Sequence, residues 1–214
     1  MRVFDPDCKR CPRLADFLLD CRQTHPGHFG KPVPPFGDEQ AGLLVVGLAP
    51  GYNGANRTGR PFTGDFCGDL LYGTLHAHGF GSQPQSVAAD DGLRLINCRV
   101  TNAVKCVPPQ NKPTPLEIRT CNGFLKAELQ QQPPRVIVAL GVVAHDATLM
   151  AMGYTKTAFK FAHGARHSLA AGGHRMDLLD SYHVSRYNTQ TGRLTPVMFD
   201  AVIAQARTLL ENPA

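Results

Sequence analysis

No run of about 18 apolar residues occurs in the 214-residue chain, so it offers no candidate for a membrane-spanning helix. Its first residues, MRVFDPDCKRCPR, lack the apolar stretch of a secretory signal, and a cytoplasmic protein is expected. Internal repeats and low-complexity tracts are missing too, which argues against a solenoid. Charge is sparse at 18% of residues, and the net charge of +5 permits a nucleic-acid partner without requiring one. Seven cysteines, an odd number, in a chain with no secretory signal read better as metal ligands and buried thiols than as a disulfide framework.

What is present is an alternation of strand and helix signals. Leu43 to Val46, Leu93 to Val100, Arg135 to Leu140 and Asp177 to Tyr182 are short apolar or β-branched runs. Helical spacing marks Asp7 to Gln23, Gly64 to His78, Pro115 to Gln131, the stretch from Gly141 to Met152, and Thr195 to Leu210. The expected fold is one three-layer α/β/α domain over residues 1–214, built on a central, mostly parallel four-stranded sheet. In such sheets ligands bind outside the carboxyl ends of the strands. The loops that start at Ala49, Asn102 and His183 therefore converge by topology alone.

The loop Gly47 to Asp65, GLAPGYNGANRTGRPFTGD, is the densest functional candidate. It combines flexible glycine backbone with Arg57, Arg60, the aromatic Phe62 and the carboxylate Asp65, a set suited to a flat, anionic ligand such as a nucleotide. His163 and His167 in FAHGARH are four apart, but Gly164 disfavours a helix there and no metal site is read.

Cys8 and Cys11 form a Cys-x-x-Cys pair, and Cys106 and Cys121 flank the loop VPPQNKPTPLEIRT. The four meet at one tetrahedral site if the N-terminal segment 1–42 wraps back onto the third helix. Four thiolates suit zinc or an iron–sulfur cluster, and ligand softness does not separate the two. Cys21, Cys67 and Cys98 are read as unligated thiols.

Together these segments resemble the iron–sulfur type of uracil-DNA glycosylase, nearest to its family 5 branch. The motifs carrying the resemblance are Cys8-Lys-Arg-Cys11-Pro, Gly47-Leu-Ala-Pro50, Gly54-Ala-Asn-Arg-Thr-Gly-Arg60, Phe62-Thr-Gly-Asp65, Thr101-Asn-Ala-Val-Lys-Cys106, Lys112-Pro-Thr-Pro115, His183-Val-Ser and Asn188-Thr-Gln-Thr-Gly-Arg-Leu194. The resemblance implies a [4Fe-4S] cluster on Cys8, Cys11, Cys106 and Cys121, with zinc as the lesser alternative. It also implies a monomeric, monofunctional enzyme that flips uracil out of DNA and hydrolyses its glycosidic bond, with hypoxanthine or other deaminated bases as further substrates.

On this resemblance Phe62 stacks the extruded base, Asn102 pairs with uracil O4 and N3–H, and His183 donates to O2. Gly47, Leu48, Ala49 and Gly51 line the base or the attacking water, and Asn53 positions water. Arg57, Arg60, Arg186, Asn188 and Arg193 contact DNA, and Leu194 is the wedge that fills the vacated stack. Two departures stand out. Val184 replaces the proline of the usual His-Pro-Ser, and Leu48 and Ala49 occupy positions where many relatives carry an acid or amide. Asp65 is left as the nearest carboxylate, and bond breaking must run ahead of water attack. Two alternatives belong to other classes: a glycosylase-fold protein that traps the abasic sugar through a histidine, and a catalytically weak sensor of damaged DNA.

Overall fold

The computed structural model describes residues 3–212. The apolar runs form β2 (Leu43–Gly47), β3 (Cys98–Asn102), β4 (Val136–Leu140) and β6 (His174–Ser181), and two edge strands, β1 (Phe36–Gly37) and β5 (Arg166–Ala171), extend the sheet. The order is β1-β3-β2-β4-β6-β5; the central four strands are parallel and both edges antiparallel.

The expected α/β class holds, and the sheet has six strands rather than four. Both additions escaped a hydrophobic pattern for physical reasons. β1 has only two residues, and β5 faces solvent along most of its length, with Leu169 its one buried side chain. The second strand also begins later than its apolar run suggests. Asn97, at φ 51°, takes the left-handed conformation and breaks the extended backbone. Asn102 is thus the last residue of β3 and lies beside Gly47, its register partner on β2.

The α-helices among the described residues are α1 (Pro12–Thr24), α2 (Ala55–Thr58), α3 (Phe66–Ala77), α4 (Pro115–Gln131), α5 (Val142–Ala151), α6 (Arg186–Gln190) and α7 (Pro196–Glu211). Alternating strand residues feed opposite layers. Leu43, Val45, Val138 and Leu179 pack with α3 and α7 through Leu71, Leu75, Phe199 and Ile203. Leu44, Val46, Ile137 and Leu178 pack with α4 and α5 through Leu125, Leu129 and Ala147. α1 lies at the end of this sandwich, where Leu14, Leu18 and Cys21 meet Val104, Val107 and Phe124. No described helix is long and apolar enough to cross a membrane.

Where β6 passes α5, charge is buried. Asp180 accepts hydrogen bonds from His145 Nδ1 (2.7 Å), His167 Nε2 (3.1 Å) and the Ala162 N–H (3.3 Å). His145 Nε2 faces the Phe159 carbonyl at 3.1 Å, so both ring nitrogens face acceptors and the geometry calls for an imidazolium paired with a carboxylate. His167 thus shares the Asp180 carboxylate with His145. The titratable groups around the pair are Asp146 on α5 and His167 on β5, while Lys156 and Lys160 on the adjoining loop are exposed.

Burial opposes the charge on His145, but the hydrogen bonds to Asp180 and Phe159 outweigh it and raise its pKa above 6.5. A histidine raised on folding contributes stability that is complete below its unfolded pKa and is lost as pH rises through the folded one. Urea denaturation at a series of pH values should therefore show stability falling on the alkaline side of 6.5. Asp180→Asn, which orphans the buried imidazolium, should lower stability by about 3 kcal/mol and flatten that slope.

Candidate active site

A cavity of about 370 Å³ opens beyond the carboxyl ends of β2, β3 and β6. It is lined by Leu48, Ala49, Gly51, Asn53, Phe62, Asp65, Asn102, His183 and Arg186, so the fold gathers most of the sequence-derived candidates in one place. Tyr52, Phe66, Cys67, Asn111 and Ser185 also line it and were not singled out as site residues. Tyr52, Phe66 and Cys67 sit inside or next to the glycine-rich loop, where proximity was the available signal; Asn111 had no such signal.

The back of the cavity is built around Gly47. A β-carbon there would lie 2.4 Å from both Asn102 Oδ1 and the tip of the Phe62 ring. Asn102 is 3% exposed, and its Oδ1 has no hydrogen-bond partner. That is an unusual state for a buried amide and suits a ligand that supplies a donor. Phe62 holds a left-handed φ of 52°, and its carbonyl packs so close to Gly68 that a β-carbon there would sit 1.9 Å away. The hydroxyl of the buried Tyr72 donates to the Pro61 carbonyl at 2.7 Å and fixes the same turn. The Phe62 and His183 rings stand 6.2 Å apart at 35°.

Burial lowers the pKa of His183 to about 4, so at neutral pH it is an uncharged imidazole with one N–H to give. Asp65 caps α3: Oδ1 accepts from the N–H groups of Cys67 and Gly68 at 3.1 and 3.2 Å. Oδ2 faces Gly51 and Gly54, the sides of the loop that bound the cavity. Burial raises the Asp65 pKa, and the two capping N–H groups pull it back only in part.

The residues expected to touch DNA separate into distinct groups. Arg186 is exposed at the rim, 6.0 Å above the Phe66 ring. Arg57 is exposed but braced against the carbonyls of Asn53 (2.8 Å) and Gly64 (3.1 Å), and Arg193 lies over the Tyr182 ring at 4.7 Å. Arg60 departs from expectation: it is 4% exposed, pairs with Asp91 at 2.7 Å and stacks on Phe36, so it ties the loop to the 86–91 segment. Asn188 donates to the His183 carbonyl at 2.8 Å and thereby holds the backbone of the His183 loop. Leu194 is fully buried among Val184, Phe199 and their neighbours, which removes it as a wedge. The exposed aromatic of that segment is Tyr187, at 72%.

The four spaced cysteines converge on a second, apolar pocket lined also by Arg10, Leu14, Pro32, Lys105, Thr120 and Phe124. As free thiols Cys11, Cys106 and Cys121 are poor acids. Burial, then the neighbouring Cys121, Glu117 and Cys8, push Cys11 up to about 11, and burial with the same thiols raises Cys106 further. The Lys105 N–H points at Cys121 Sγ at 3.3 Å, a contact that favours the thiolate.

The matches to known proteins agree with this geometry. The family described as the uracil DNA glycosylase superfamily matches residues 34–207, and the chain belongs to it. Among relatives, the type-5 uracil-DNA glycosylase of Thermus thermophilus is 49% identical over 208 residues, covering 94% of this chain and 93% of its own. The type-5 enzyme of Pyrobaculum aerophilum is 42% identical, covering 94% and 88%. A type-4 uracil-DNA glycosylase from Archaeoglobus fulgidus is 32% identical, covering 71% and 69%.

Proposed function

We propose that this protein is a DNA-repair glycosylase that takes uracil out of DNA, hydrolyses the bond between base and sugar and leaves an abasic site. The observation carrying this reading is the unpartnered Asn102 Oδ1, buried beside Phe62 in a cavity that also holds a neutral His183, in a chain from this family. Asn102 Oδ1 accepts from uracil N3–H while its amide N–H₂ donates to O4. Cytosine presents the opposite pattern at both atoms and leaves two buried groups unpaired, which disfavours it. Phe62 stacks the base. His183 donates its N–H to O2 as negative charge gathers on the departing uracil.

Leu48 and Ala49 cannot take a proton, so the mechanism is one in which the glycosidic bond opens first. Asp65 Oδ2, free of the capping bonds, orients the water that then adds to the sugar. Arg186 neutralises phosphate at the rim, and Tyr187 takes the wedge role first given to Leu194. Deaminated purines such as hypoxanthine are the further substrate class.

The four cysteines are read as holding a [4Fe-4S] cluster, with zinc the lesser alternative; they line one pocket, and four thiolates suit either group. The cluster would supply a structural cross-link, with Cys8 and Cys11 joining the N-terminal segment to Cys106 and Cys121.

An oligonucleotide carrying one uracil, treated with the protein and then alkali, should be cut. His183→Ala should slow single-turnover base release by about 100-fold. Because the histidine is neutral down to a pKa of about 4, the rate should show no inflection near 6.5 from this group. Tight binding to the uracil strand with no base release would instead favour a damage sensor. Purified protein should contain iron and acid-labile sulfide in equal amounts; zinc in their place would contradict the cluster assignment.

A further inference from the structure

Asn111 reaches the cavity from the connection between β3 and α4. It is exposed, and its side-chain amide makes no hydrogen bond to any described residue. Its backbone is unusual. Gln110 and Asn111 both adopt left-handed φ values, 56° and 57°, in succession and without a glycine. Asparagine tolerates that region and glutamine tolerates it less well, so a consecutive pair persists only where the surroundings impose it.

The surroundings do impose it. Pro108 and Pro109 precede the pair and Pro113 follows, while the Asn111 and Lys112 N–H groups bond to the carbonyls of Pro108 and Pro109 at 3.0 and 3.1 Å. On the far side Arg13 of α1 holds the Lys112 carbonyl (3.1 Å) and grips Glu117 through two bonds of 2.8 Å. Glu117 in turn completes the capping box of α4 with Thr114. Cys106 and Cys121 bracket this turn and Cys11 immediately precedes α1, so the scaffold that gathers the cysteines also aims Asn111 at the mouth.

We propose that Asn111 is a DNA-positioning residue whose side-chain amide donates to a phosphate oxygen of the extruded nucleotide at the cavity that Arg186 also lines. The inference rests on the glycosylase reading for the identity of the nucleotide. A phosphate is favoured over the base edge because Asn111 stands exposed at the rim beside the cation Lys112, whereas Asn102 is buried at the back.

Two variants keep the left-handed turn and change only the amide: Asn111→Gly removes it, and Asn111→Asp replaces it with a carboxylate. Binding to a fluorescent uracil-containing duplex and single-turnover base release are measured for each. The glycine variant should bind about tenfold more weakly, as expected for a lost hydrogen bond to a charged group. The aspartate variant should bind weaker still, with a deficit that grows at low salt because repulsion between carboxylate and phosphate is then less screened. The loss should fall mainly on Kd, and the base-release rate at saturating DNA should change far less. Wild-type affinity in both variants would overturn the proposal. Unchanged affinity with a slowed saturating rate would overturn it too, since the amide would then read the base. Wild-type protein that binds the duplex but releases no uracil would defeat the glycosylase reading and leave the affinity comparison standing.

Discussion

The back of the cavity depends on an absence, the missing β-carbon of residue 47. Gly47 has an ordinary negative φ, so what selects glycine there is space and not backbone conformation. Phe62 and Asn102 both press into the volume a methyl group would take. Asn102 occupies that place because β3 pairs in parallel with β2 and ends in register with Gly47. Phe62 occupies it because a left-handed turn, braced by Gly68 and the Tyr72 hydroxyl, swings its ring back over the strand end. One close contact among a glycine, an aromatic ring and an amide thus shapes the back of the cavity, where the proposed stacking surface and reading edge meet.

The rest of the molecule supports that contact from two directions. On one side, Arg60 and Asp91 form a buried ion pair that fastens the glycine-rich loop to the segment beyond α3. Leaving either charge unpaired in the interior would cost several kcal/mol. On the other side, α1, the turn before α4 and the four cysteines form one unit packed on the segment that follows Asn102. Ala103 and Val104 donate to the carbonyls of Gly47 and Leu48, so any shift of that unit is passed to the cavity within two peptide bonds. This gives the cysteine site a mechanical relation to the chemistry without a chemical part in it.

Much of this was legible in the sequence, and the failures share a cause. β2 and β4 announce themselves as β-branched runs, and α4 through Thr114 and Glu117 at its start, because those signals are local. Phe62, Asn102 and His183 could be placed together because strand ends in a parallel sheet converge. Arg57 and Arg60 look alike in a glycine-rich loop, yet only Arg60 finds a buried carboxylate, 31 residues away in sequence. Leu194 looked like a loop tip because cations surround it, but it is the first core residue leading into α7. The edge strand β5 has no apolar period to detect, and Asn111 is aimed by contacts from α1 that are remote in the chain. Partners distant in sequence decide each of these cases.

The most direct test of the account is Gly47→Ala, assayed on a single-uracil duplex alongside urea denaturation. The account predicts a folded protein in which the added methyl displaces Phe62 or Asn102, with base release at saturating DNA down by about 100-fold, the scale set by small misplacements of reacting groups. A folded Gly47→Ala protein that releases uracil at the wild-type rate would contradict it.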